Sequence, residues 1–270
     1  MAKAYQINQD FGNILDGVNI TGLFNTKFTF YWFLESYKNG EAAMSIRKKG
    51  QVGPRFLIYL LGLLVMSLGI VLLIKADLGA TPWDVLHVGL YYQLGLTIGS
   101  WSIIVGIVIL TVTGLITKEI PQIGAFLNMI LIGLFIDMYF LLPFLQTPEG
   151  LLGKMVMFAF GMLLNGYGMG LYISAQLGAG PRDGLMIALS QKTKWKVRNV
   201  RATMEVLVLL VGWQLGGPIF WGTILICFLI GPFAGICLPQ CQRFTDRWLQ
   251  KLNANKLIAE QTESKRGASL

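Results

Sequence analysis

The amino-acid sequence predicts an all-α polytopic membrane protein made of two inverted three-helix repeats, six spans in all. Three observations predict it. Hydrophobic residues make up 54% of the 270-residue chain and charged residues only 13%, about half the roughly 25% typical of soluble proteins. Apolar stretches of spanning length follow one another along the chain. A motif with matched glycine, proline and aspartate positions occurs twice. The composition excludes a disordered chain, a disulfide scaffold and a water-soluble enzyme, because too few charges remain to cover a water-exposed surface. The net charge of +8 does not point to nucleic acid, since its Lys and Arg lie between apolar stretches rather than on a basic polar domain. The expected partner is the lipid bilayer.

A bilayer core of about 30 Å needs about 20 helical residues. The stretches 56–74, 101–117, 122–145, 151–174, 202–216 and 219–238 meet or approach that length. In lipid each must be helical, because unpaired backbone groups there cost several kcal/mol apiece. Ahead of them, residues 1–50 form an N-terminal extension of mixed character, with an aromatic run at Phe28, Phe30, Tyr31, Trp32 and Phe33. Met44 offers a second start, which would make residues 1–43 an upstream-start artefact. The first apolar run is long and lacks a small-residue cleavage site, so it reads as a retained helix rather than a signal peptide. Residues 51–148 form the first repeat, 149–241 the second, and 242–270 a polar tail that reads as disordered from Asn253 onward.

Basic residues set the orientation. Arg47, Lys48, Lys49 and Arg55 precede the first span, Lys192, Lys194, Lys196, Arg198 and Arg201 precede the fifth, and Arg243, Arg247 and Lys251 follow the last. Six spans place all of these clusters on one side, with both termini cytoplasmic.

The duplication is read from Gly62–Asp84, which aligns without gaps on Gly161–Asp183. The identities include glycines at 62/161, 69/168 and 79/178, prolines at 82/181 and aspartates at 84/183. Each copy ends in Leu-Gly-Ala-x-Pro-x-Asp and leads into a short re-entrant or interfacial helix, about 82–96 in the first half and 181–191 in the second. The second, at roughly 16 Å, is too short to cross, and the first is read with it. Three spans per half then invert the second half relative to the first; eight spans with parallel halves would follow if both short helices crossed. The paired turns at Leu78–Asp84 and Leu177–Asp183 resemble those of the YczE/YitT-like bacterial integral membrane proteins, over roughly residues 52–240. The resemblance implies a bacterial plasma-membrane protein of about this span count. It implies no established activity, so no catalytic residue is carried over.

The motif has two readings. Structurally, Pro82 and Pro181 suit the first position of a helix, Thr81 is a fitting N-cap, and Asp84 and Asp183 sit in the positive end of the helix dipole. Gly79 and Gly178 permit the turn before it. Functionally, broken helices of inverted-repeat transporters commonly present their ends to a solute. On that reading the candidate solute-binding or gating residues are Asp84, His87 and Tyr91, which share one helical face, with Asp183, Asn165, Arg201 and Glu205. Arg201 and Glu205 are spaced i, i+4 and are expected to pair. Asp84 and Asp183 are expected on opposite membrane faces. Asp137, inside the 122–145 stretch, is either an intramembrane charge or a residue snorkelling to the interface. Asn128 and Asn165 are expected to hydrogen-bond between helices.

No His-Glu-x-x-His, Gly-x-Ser-x-Gly or Walker loop occurs, so no enzyme is expected. The single histidine, His87, and the cysteines Cys227, Cys237 and Cys241 make no metal-ligand spacing. Neither metal nor cofactor is expected. The sequence favours a transporter or channel-like protein for a small solute or ion. A membrane scaffold or regulatory protein that binds a partner is the competing class.

Overall fold

The computed structural model describes residues 52–178 and 180–267. The N-terminal extension and its alternative start lie outside them. The described residues form α1 (Val52–Lys75), α2 (Pro82–Leu94), α3 (Ile98–Thr117), α4 (Ile123–Phe140), α5 (Leu151–Ser174), α6 (Pro181–Thr193), α7 (Val197–Gln214) and α8 (Trp221–Gly267), with no strand among them. Five helices, α1, α3, α4, α5 and α8, are long and apolar enough to cross a membrane. The expected fifth span, α7, has 18 residues, but Arg198, Arg201 and Glu205 lie in its first half and separate it from the others. Helices α2 and α6 have 13 residues each, about 20 Å, well short of a bilayer core.

Helices α1 and α5 pack face to face at the centre, and α1 is the most buried of the long helices. They run antiparallel. A β-carbon on Gly62 would overlap the backbone of Gly168 and Tyr172, and one on Gly69 would overlap that of Gly161 and Asn165, so numbers rise along one helix as they fall along the other. Only glycine allows backbones to approach so closely. The ends of the pair are tied reciprocally. Arg55, at the start of α1, donates to the Ala175 carbonyl and the Gln176 side chain beyond α5. Lys154, at the start of α5, pairs with Asp77 beyond α1 at 2.7 Å. Tyr59, Leu63, Ile70 and Val71 of α1 pack on Ile132 and Ile136 of α4 and on Tyr172 of α5.

Within each half α4 packs on α1 and α8 on α5, whereas the short helices exchange between the halves, α2 packing on α7 and α6 on α3. The turn after α1 seats on the start of α8, where the Leu78 carbonyl accepts from Gly222 N–H at 2.9 Å. The turn after α5 seats on the start of α4, against Gln122 and Gly124. Left-handed backbone falls at matched places in both turns, at Asp77 and Gln176 (φ 54° and 57°) and at Gly79 and Gly178 (φ 115° and 142°).

Large apolar side chains on the outside, among them Ile107, Val108, Leu134, Phe160, Leu207 and Phe228, give the surface expected where lipid is the solvent. The tail departs from expectation. Helix α8 continues through Gly267 despite Pro232 and Pro239 within it, so the segment after Asn253 is helical rather than disordered. Ala, Leu, Lys, Glu and Gln in that segment all favour helix.

Candidate functional site: a charged cavity at the starts of the short helices

Helix α2 begins as the motif predicts. Thr81 is its N-cap, with its hydroxyl accepting from Asp84 N–H, and Pro82 takes the first position. Gly180 and Pro181 repeat the arrangement at α6 without a side-chain cap. The two helix starts converge on one cavity of about 130 Å³ in the middle of the molecule. Met66 and Ile70 of α1, Ser102 of α3, Asn128 of α4, Asn165 and Tyr172 of α5, Arg201 and Glu205 of α7 and Cys227 of α8 complete its walls.

The cavity gathers Asp84, His87, Asn165, Asp183, Arg201 and Glu205, all of them singled out from the sequence. Asp84 and Asp183 therefore line a single space, not opposite faces. Each short helix starts against the other half, which brings both carboxylates inward to the centre. Tyr91 is the exception among the candidates. One turn beyond His87 it leaves the cavity; it is 42% exposed and lies against the Tyr92 ring.

Local partners differ sharply around the cavity. Arg201 Nε donates to Glu205 Oε1 at 2.9 Å, the expected pair. Tyr172 Oη donates to Asp183 Oδ2 at 3.0 Å. Asp84 Oδ2 accepts from the Thr81 hydroxyl at 2.5 Å, but its Oδ1 has no hydrogen-bond partner. His87 Nδ1 is likewise unpartnered and lies 3.9 Å from that oxygen. Both residues are about 1% exposed. Unmatched polar atoms are costly in such surroundings.

Arg182 is the functional candidate that sequence reasoning misses. It lies at the variable position of the second motif copy, where the first has Trp83. Its guanidinium sits 4.8 Å from the centre of the Trp83 ring. Two repeat-matched positions thus meet directly. Arg182 shares the cavity with the carboxylates of Asp84, Asp183 and Glu205, yet it makes no hydrogen bond or direct ion pair among the described residues. A charge inside a motif between two apolar segments was its sequence clue; counting it with the cytoplasmic basic residues hides it.

Asp137 lies elsewhere. It accepts from the Thr97 hydroxyl at 2.6 Å and from Gly99 N–H at 2.9 Å, so it pins the start of α3. The cysteines are free thiols, two buried and Cys227 half-buried, and no metal-ligand cluster occurs among the described residues.

Residues 53–239 match the model of a family of unknown function, DUF6198. The chain belongs to this family. It is 47% identical over 194 residues to the uncharacterized membrane protein YczE of Bacillus subtilis (strain 168), covering 71% of this chain and 89% of that one. An uncharacterized protein of Haemophilus influenzae is 35% identical over 174 residues, covering 64% and 78% of the two chains. The uncharacterized protein YyaS of Bacillus subtilis is 30% identical over 190 residues, covering 70% and 94%. No solved structure matches significantly. With its apolar helices and a membrane-protein relative of nearly full coverage, the chain is a multi-pass integral membrane protein.

Proposed function

We propose that this protein moves a small polar solute or ion across a bacterial plasma membrane through the central cavity. The observation that carries the reading is the cavity itself, buried, charged and assembled from the starts of both short helices. Charges placed inside a membrane protein and facing an internal space generally mark a substrate or ion path. The cavity also weighs against a scaffold, which needs no charged space between its halves.

Six spans in two inverted halves fit this function. The antiparallel α1–α5 crossing, the reciprocal ties of Arg55 and Lys154, and the exchanged contacts of α2 and α6 support an inverted pair. In such folds one half rocks against the other around a site near the midplane. On this reading α7 crosses as the fifth span, with Arg201 and Glu205 satisfying each other at the cavity wall. The distribution of basic residues favours cytoplasmic termini on this reading.

The test is solute and ion flux in proteoliposomes made with the full-length protein. Asp84→Asn together with Asp183→Asn should lower flux at least tenfold while leaving the protein monodisperse. Unchanged flux in that double variant would sink the assignment of the path to this cavity.

A further inference from the structure

We propose that the cavity binds a small zwitterion of about five or six non-hydrogen atoms, with its ammonium group on Asp84 and His87 and its carboxylate on Arg182. The inference rests on the transport reading and names the substrate class of the same site.

The first argument is the unmet bonding. Asp84 Oδ1 and His87 Nδ1 are buried, without partners and 3.9 Å apart. With its proton on Nε2, the imidazole presents Nδ1 as an acceptor. Two acceptors at that separation are bridged by one donor atom at about 2.9 Å from each, and an ammonium group has three N–H donors to give. Arg182 presents the opposite deficit. Its guanidinium has a fork of N–H donors, none of them used among the described residues, and lies over the Trp83 ring. A carboxylate accepts two parallel bonds from such a fork.

The second argument is the spacing of charge. Opposite charges away from water normally pair directly, as Arg201 and Glu205 do at 2.9 Å. Arg182, Asp84 and Asp183 line the same cavity without a direct ion pair between Arg182 and either carboxylate. A dipolar solute fills that space with each end against its complement. An anion alone would add negative charge beside two carboxylates, and a cation alone would leave the Arg182 donors unmet.

The third argument is size. A cavity of 150 Å³ admits benzene, roughly six non-hydrogen atoms, and this one measures about 130 Å³. That is the scale of glycine or alanine.

Calorimetric titration of the purified full-length protein in detergent tests the inference. The probes are glycine and alanine against ethylamine and propionate, which are alanine lacking one charged group. Saturable binding of a zwitterion, at least tenfold tighter than both single-charge probes, is the expected result. Arg182→Gln and Asp84→Asn should each weaken it at least tenfold. Arg182→Lys keeps the charge but loses the fork, and should weaken it several-fold even if Arg182→Gln fails to fold. Ethylamine or propionate binding as tightly as alanine overturns the proposal, as does the absence of binding by either zwitterion. Because calorimetry needs no gradient, zwitterion binding without flux leaves this inference standing and removes the transport reading. Flux of another solute without zwitterion binding does the reverse.

Discussion

Asp84 and Asp137 are both carboxylates set among apolar residues, and their partners separate them. Both oxygens of Asp137 are satisfied, by the Thr97 hydroxyl and Gly99 N–H across 40 and 38 residues of sequence. Asp84 keeps one oxygen unmatched at the cavity. Replacing Asp137 by Ala should cost about 1–2 kcal/mol, the value of a helix-start bond to a carboxylate. Thermal melting in detergent should fall accordingly, with solute binding by the folded protein unchanged. A loss of binding without a change in melting would contradict the structural role. The sequence offers Asp137 as intramembrane charge or snorkelling side chain and cannot choose, because its partners belong to another helix. For Asp84 the local cap was legible, since Thr81 is only three residues away. Its nearness to Arg182 was not.

At the scale of elements, the short helices and the central crossing are the parts that sequence spacing reads well. Pro at the first position, Thr81 at the cap and the basic or glycine-containing ends bound α2 and α6 to 13 residues each. Glycines 62, 69, 161 and 168 are legible as a repeat, but which helix each glycine meets is a tertiary fact. Gly69 lies against Asn165 and Gly161, whereas the space around Gly231 in α8 is open. Gly69→Ala should therefore lower the melting transition by about 1–3 kcal/mol through overpacking of a backbone contact. Gly231→Ala should stay within about 1 kcal/mol of the parent, since the methyl meets no tertiary neighbour and the gain in helix propensity is offset by crowding against the following Pro232. Equal effects at the two sites would deny that α1 and α5 cross through glycine. The tail shows the limit of composition as a guide. Its polarity suggested disorder, but polarity alone does not decide against helix where the residues favour one and a preceding helix supplies the nucleus.

For the whole molecule, the open quantity is the path of the chain through the bilayer. Six spans put the α3–α4 connection inside and the α4–α5 connection outside; eight spans reverse both. Single cysteines at Glu119 and Gln146, in a background with Cys227, Cys237 and Cys241 replaced by Ser, report this directly. An impermeant thiol reagent applied to intact cells should label Gln146→Cys and spare Glu119→Cys. The opposite pattern would establish that α2 and α6 cross and would dissolve the inverted pair. The lengths of those helices, about 20 Å each, argue for the first result.

The sequence by itself determined the solvent of this protein, its helical class, the duplicated turns and the residue types at the helix starts. These follow from local quantities: composition, run length, and a cap or proline within a few residues. Only the tertiary structure decided that both turns point into one cavity, that Asp84 and Asp183 share it, and that Arg182 stands over Trp83 in the same lining. Those are contacts between halves nearly a hundred residues apart, set by how α1 and α5 cross. A charge count along the chain assigns Arg182 to a cytoplasmic loop. The fold places it on the cavity wall, where its guanidinium has no direct ion pair among the described residues.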